Sequence, residues 1–230
     1  VNPKEKTEEE LARLMIGKEP PKLLTSEGTP GEVALEFKGV SLDGGHHVTG
    51  LTDIKLTVRA GEIVGIAGIS GNGQSRLLGV CMGELKQTKG SVKLFGEAVD
   101  DLDPAERRAK GLRYVPEQRL GHGSVPEFSL INNTLLTGDD FHSHGFIKQE
   151  EAETFTDLVI ERFHVKPEAP KAAARSFSGG NLQKFIVGRE ILSSPGVLII
   201  DQPTWGVDVG AATVLSLIHI SEPTRLGMIS

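Results

Sequence analysis

Apolar residues recur along this chain at two spacings, and the switches between them predict its elements. Val33, Leu35 and Phe37 alternate with charged residues, and Leu51, Ile54, Leu56 and Val58 repeat a similar pattern after a turn at Asp43-Gly44-Gly45. A period near two on either side of a glycine turn predicts an antiparallel pair of strands. The apolar run Ile63, Val64, Ile66, Ala67 predicts a buried strand over residues 62–67, and a helix follows from Arg76 through Leu78 and Val80. Residues 91–95 and 112–117, with a helix capped by Asp103 between them, continue the alternation of strand and helix. From residue 118 to residue 173 the pattern becomes mostly helical, with one run from Ile131 to Leu136 and an amphipathic one from Glu150 to Phe163. Phe185, Ile186, Val187, Ile191 and Leu192 then mark another helix, which Ser193-Ser194-Pro195 ends. The apolar strand over residues 196–200 closes on Asp201. This alternation of strands and helices predicts an α/β fold. Ahead of it, Thr7-Glu8-Glu9-Glu10 before Leu11, Leu14 and Met15 reads as a capped helical turn, followed by a proline-rich linker to Gly31.

Three stretches of this pattern carry chemistry. In the first, Ser178, Gly179, Gly180 and Asn181 stand immediately before a helix, where backbone N–H groups and small polar side chains together suit an anion. The same residues suit a simple N-cap, and taken alone the stretch leaves both readings open. In the second, Gly68, Gly71, Asn72, Gly73, Gln74 and Ser75 lie between the strand and the helix that begins at Arg76. Strand, glycine loop and helix form the setting of a phosphate-binding loop, in which successive N–H groups turn toward phosphate oxygens and the Ser75 hydroxyl is placed to hold magnesium. That motif wants lysine at position 74. Gln74 offers a hydrogen bond without the charge, so a plain strand-turn-helix stays open as well. The third stretch is Asp201, an acid at the carboxyl end of a buried strand, where a carboxylate commonly orders the water shell of magnesium.

Composition narrows the class. The chain has 230 residues, enough for one large domain or one and a half small ones, with the apolar content to bury a core. A net charge of −6 with no basic stripe argues against nucleic acid as the main partner and against a polybasic membrane anchor. Cys81 is the one cysteine and lies in an apolar helical stretch, so it reads as a buried thiol, with no internal disulfide. No apolar run approaches the roughly 20 residues of a spanning helix, and the first residues do not resemble a signal peptide. The chain is therefore expected to be cytosolic, or attached to a membrane only through partners. His46-His47 and His142-Ser143-His144 sit in polar loops and read as solvated surface.

Taken together, the loop, the Ser178-Gly179-Gly180-Asn181 signature with Gln183-Lys184, and Asp201 resemble the ATP-binding cassette of membrane transporters. The resemblance covers about residues 31–214. The spelling of the signature, the stretch Val115-Pro116-Glu117-Gln118-Arg119 and Gln74 are similar to the second of two fused cassettes in importers of sugars or nucleosides. Gln202-Pro203-Thr204 and Gly206-Val207-Asp208-Val209-Gly210-Ala211 lean toward the nucleoside branch. The implied fold is a phosphate-loop cassette with a RecA-like parallel-sheet core, an antiparallel β subdomain and a helical subdomain. Residues 1–30 then read as the end of a preceding cassette and its linker.

The resemblance also implies ligands, partners and roles. ATP would meet Gly68, Gly71, Asn72, Gly73, Gln74, Ser75 and Arg76 of the loop, with magnesium at Ser75 and Asp201. Each nucleotide in such proteins lies between the loop of one cassette and the signature of another, so Ser178, Gly179, Gly180 and Asn181, with Asp208, would serve a site shared with the first cassette of the same protein. Gln202 occupies the position of the catalytic glutamate and Glu117 that of the Q-loop glutamine, so this chain's own site is expected to turn over slowly or not at all. Trp205 stands where related cassettes often carry arginine, and no aromatic residue fills the adenine-stacking position near Leu42 and Asp43. Partners would be transmembrane permease subunits and, indirectly, a solute-binding protein, with the cassette peripheral on the cytoplasmic face. Residues 215–230 resemble an in-frame translation of a transposase sequencing adapter and are read as a non-native tail. On that reading His219 is not the switch histidine of the family. Two further readings stay open: a module that senses nucleotide without turnover, and a soluble cassette protein outside transport, which the lack of basic inserts disfavours.

Overall fold

The computed structural model describes residues 29–45, 48–143, 145–166, 171–202 and 227–229. The helical turn read near Thr7, as well as Trp205, Asp208 and His219, lies outside the described residues. The described residues divide into two compact units, one built on residues 29–116, 190–201 and 227–229, the other on residues 117–189 with Gln202.

In the first unit, β1 (Val33–Leu42) pairs antiparallel with β2 (Leu51–Arg59) and with β4 (Lys89–Leu94), and β5 (Glu97–Ala98) closes a four-stranded sheet in the order β2-β1-β4-β5. This is the antiparallel pair expected from the alternation, with a change of phase inside it. Leu35 and Phe37 are buried, and beyond a register shift at Gly39 the buried positions become Val40 and Leu42. One extra residue in a strand moves every later side chain to the opposite face, so the bulge keeps the apolar set on the core side.

A second sheet is parallel, in the order β3-β10-β9-β6, where β3 is Ile63–Val64, β6 is Leu112–Val115, β9 is Val197–Ile200 and β10 is Gly227–Ile229. All four residues of β9 are buried, as an unbroken apolar run in a parallel sheet requires. The strand expected over residues 62–67 is corrected to two residues. Its one described partner strand is the three-residue β10, and Ile63 is 58% exposed, so the ladder extends no further. β10 comes from the stretch read as a tail.

Helix α1 (Gln74–Met82) contributes Leu77, Leu78, Val80, Cys81 and Met82 to one core with Phe37, Val92 and Leu94 of the antiparallel sheet and Leu112, Val197 and Ile199 of the parallel one. Its C-terminal carbonyls are held by a buried cation. Arg107, on α2 (Pro104–Ala109), donates from Nη1 to Val80 O and Cys81 O, both at 2.7 Å, and from Nε to Leu102 O at 3.1 Å. A guanidinium there satisfies carbonyls that a helix end leaves without partners and complements the helix dipole. The cap read at Asp103 is a full capping box with Glu106.

The second unit contains α3 (Leu130–Thr137), a hairpin of β7 (His142–Ser143) and β8 (Phe146–Ile147), α4 (Gln149–Arg162), and α5 (Gly179–Leu192), whose last residues belong to the first unit. The mostly helical reading of residues 118–173 is therefore corrected. The two α-helices stand where the periodicity placed them, but loops, the hairpin and one 3-10 turn at Asp139–Phe141 fill the remainder of the described residues. Buried Asn133 organises those loops. Its Nδ2 donates to Val125 O, Phe128 O and Ser129 O, and its Oδ1 accepts from Val125 N at 2.7 Å. Arg189 donates to Asn133 O and to Gly123 O at 3.2 and 3.1 Å. The Thr134 and Thr156 hydroxyls, 2.9 Å apart, join α3 to α4.

Candidate functional site

The loop of residues 65–73 runs from β3 into α1 and turns through two left-handed glycines, Gly71 at φ 90° and Gly73 at φ 105°. Gly73 is the N-cap of α1 and carries no side-chain cap, and the first turn holds no acidic residue. The contrast with α2 and α3 is direct. Asp103 and Ser129 supply side-chain acceptors to the amides at those two helix starts, whereas the amides at the start of α1 have none. A helix N-terminus left open in this way presents N–H donors and the positive end of a dipole.

Three contacts brace the loop. Thr49 Oγ1 donates to Gly71 O at 2.8 Å, Asn72 N donates to Ile69 O at 3.2 Å, and Gln74 Nε2 donates to the same Ile69 carbonyl at 3.2 Å. The Gln74 amide packs so closely on Gly68 that a Cβ there would lie 2.4 Å from Nε2. Gln74 is thus turned back into its own loop. Ser75 is exposed, and half-buried Arg76 donates from Nη2 to Asp43 O at 2.7 Å, tying α1 to the end of β1. A cavity of about 230 Å³ lies here, lined by Val48, Thr49, Gly71, Gly73, Gln74, Ser75 and Arg76.

Asp201 follows β9 in the same unit. Its backbone N–H donates to Val115 O at 2.9 Å, continuing the ladder to β6, and its Oδ2 lies 3.4 Å from the Tyr114 hydroxyl, a long contact. No group of three or more His, Cys, Asp or Glu gathers for a metal among the described residues. The donors available are a serine hydroxyl and one carboxylate, a hard oxygen set. That set fits magnesium, which keeps several waters and takes phosphate oxygens, with only one or two ligands from protein.

In the second unit, Ser178 is exposed and accepts from Asn181 N at 3.4 Å, the geometry of an N-cap for α5. Gly179 is half-buried and Gly180 is buried. Asn181 Oδ1 accepts from Lys166 N at 3.2 Å and is thereby held against the segment after α4. Ser178 is a cap with an exposed hydroxyl, so the cap and anion readings are compatible. Glu117 is half-buried just after β6, and Gln202 is exposed at φ 46°, a left-handed backbone uncommon for a residue other than glycine. The structure brings the loop residues together around α1 and the signature residues together at the start of α5.

Sequence reasoning missed Val48, Thr49 and the Arg76–Asp43 contact. Thr49 and Val48 belong to no motif, and their signal is topological, since the β1–β2 turn has to pass somewhere near the helix start. The thiol reading holds: Cys81 is buried, and burial pushes its pKa up to about 12, opposed by the nearby Arg107 cation.

Residues 51–205 match the family model described as ABC transporter. The guanosine import ATP-binding protein NupO of Bacillus subtilis strain 168 is 36% identical over 208 residues, covering 89% of this chain and 41% of that protein. The glucose import ATP-binding protein TsgD13 of Haloferax volcanii is also 36% identical over 208 residues, covering 88% of this chain and 38% of that one. The chain thus spans about two-fifths of the length of these relatives. Among solved structures, a post-hydrolysis dimer of the ATP-binding cassette MJ0796 bound to ADP and Pi superposes with a TM-score of 0.71 at 22% identity, covering 85% of this chain and 86% of that one. With its glycine loop opening α1, its antiparallel sheet and its parallel core strands, the chain has the cassette fold and belongs to the ABC transporter family.

Proposed function

We propose that this chain is part of the ATP-binding subunit of an importer for a simple sugar or nucleoside, and that its own nucleotide site is the weaker of two. One observation carries the asymmetry: Gln74, at the position where a phosphate loop wants a lysine, folds its amide onto Ile69 O and Gly68. A neutral amide already bonded inside the loop contributes little charge stabilisation to a triphosphate. Gln202 and Glu117 point the same way, because an amide at the glutamate position cannot accept a proton from attacking water. The exposed Ser178 hydroxyl at the start of α5 is free of such a substitution and is suited to reach a nucleotide held by a first cassette of the same protein. Ser75 and Asp201 would hold magnesium, which neutralises phosphate charge when bound.

Relatives named for guanosine and glucose import support the solute class, and the residues from Gln202 to Ala211 favour a nucleoside. No helix among the described residues is long and apolar enough to cross a membrane. Permease subunits, with a solute-binding protein beyond them, would supply the path, and the cassette would sit on the cytoplasmic face. The test is ATP turnover by the intact parent protein carrying Ser178→Arg or Ser75→Ala. Loss with the first and little change with the second supports the signature-donor role, whereas equal loss makes the Gln74 loop a working site and overturns the asymmetry. A second reading, a nucleotide-sensing module without turnover, is favoured by the same Gln74 contact. Turnover in the parent that survives Ser178→Arg but is lost with Ser75→Ala would exclude it.

A further inference from the structure

The cavity beside the glycine loop is not completed by the loop alone. Its other walls are Val48 and Thr49 from the β1–β2 turn and Arg76 from α1, and Val48 is 49% exposed. Arg76 is fixed at one end by the 2.7 Å bond from Nη2 to Asp43 O. Its Nε is buried without a hydrogen-bond partner among the described residues. A buried N–H with nothing to donate to is rare. The guanidinium is planar and weakly hydrated and favours the faces of aromatic rings. A pinned plane, an exposed valine and a threonine methyl, next to an open helix N-terminus, suit a flat heteroaromatic ring carried by a phosphate chain.

Resting on the nucleotide-site reading above, we propose that Arg76 is the base-recognising residue of this site. Its guanidinium serves as the stacking surface for the nucleobase, with Val48 beside it, in a cassette that has no aromatic residue at the end of β1. Phosphate recognition stays with the loop and the α1 amides, so the two parts of the ligand are read by separable groups.

The experiment measures binding of magnesium–ATP and of magnesium–tripolyphosphate, which has no base, to the 230-residue chain. Arg76→Ala and Arg76→Lys are each expected to weaken ATP about fivefold to tenfold, the range of a lost cation–ring contact, and to leave tripolyphosphate within about twofold. Unchanged tripolyphosphate binding also shows that the variant is folded, and Arg76→Lys decides if Arg76→Ala does not fold. Equal weakening of both ligands makes Arg76 a phosphate contact and overturns the proposal, as does no change in either or retention of ATP by Arg76→Lys alone. If the unaltered chain binds tripolyphosphate as tightly as ATP, the phosphate site stands and the base-recognition proposal falls. If it binds neither, both fall.

Discussion

The side-chain amide of Gln74 donates to the backbone carbonyl of Ile69 at 3.2 Å, so the first residue of α1 fastens the loop that precedes it. A phosphate chain entering that loop has to compete with this bond and gains no positive charge in return. Gln74→Lys should therefore tighten magnesium–ATP. In a solvent-reached loop a new cation is worth about 1 to 2 kcal/mol against phosphate, roughly tenfold in affinity. Titration of ATP into both proteins measures it. A variant no tighter than the parent would mean that the charge at position 74 does not face the phosphates.

The two left-handed glycines of the same loop differ in what surrounds them. A Cβ on Gly71 would meet nothing within 4 Å, whereas on Gly73 it would stand 3.3 Å from Leu51 Cδ2 and 3.6 Å from Gly50 O. Both Gly71→Ala and Gly73→Ala carry the strain of a non-glycine residue at positive φ, about 1 to 3 kcal/mol. Only the second adds a contact with β2 and the turn that precedes it. Thermal unfolding should rank Gly73→Ala below Gly71→Ala, and Gly71→Ala below the parent, with each kcal/mol shifting the midpoint by about 2 to 4 °C. Equal midpoints for the two variants would show that the Leu51 contact relaxes without cost.

How much was legible follows from what each residue's signal is. The β1–β2 pair, α1, the Asp103 cap, β6, α5 and β9 were all visible, because periodicity and capping are local properties of the chain. The loop and the signature were visible because both depend on short runs of particular residue types. The truncation of β3 to Ile63–Val64 was not, since strand length is set by the partner that pairs with it, here a β10 far away in sequence. Residues 118–173 were over-read as helix because their loops are held by single buried side chains, Asn133 and Arg189, that leave no repeating pattern. Arg107 leaves no signal in the local pattern. Its burial at 1% exposure depends on carbonyls of α1 that no local window contains.

Cys81 gives a dependence on pH. Its thiol is pushed from 9.0 up to about 12, chiefly by burial and against the lowering effect of the Arg107 cation. The folded state therefore keeps a proton that the unfolded chain gives up first. This contribution is fully present below pH 9, declines as pH rises from about 9, and is lost by about 12, with a slope of up to about 1.4 kcal/mol per pH unit. Cys81→Ala should cost stability at neutral pH through the cavity it leaves, yet lose less than the parent between pH 9 and pH 11. Denaturant unfolding at several pH values reads the difference. Parallel stability curves would place the thiol in contact with water. The same burial predicts that the folded protein resists thiol reagents at pH 8, where the unfolded chain reacts.

Arg108 and Glu190 form the ion pair that lies furthest from solvent among those described, at 2.7 Å, with the Glu190 side chain fully buried and that of Arg108 18% exposed. Arg108, on α2, and Glu190, among the last residues of α5 that belong to the first unit, thereby join two segments of that unit. Charges taken out of water pay a desolvation cost that their attraction only partly returns, so the pair is worth more as a constraint than as net stabilisation. Removing one member is a different matter, because the charge that stays buried keeps the cost and loses this part of its compensation. Arg108→Met should destabilise by about 3 kcal/mol. The double variant Arg108→Met with Glu190→Leu should recover at least half of that loss, since two apolar side chains then meet where two charges did. Urea midpoints with an unchanged m value report both numbers. If the two single losses simply add in the double variant, the pair is uncoupled, and α2 and α5 are held together by apolar packing instead.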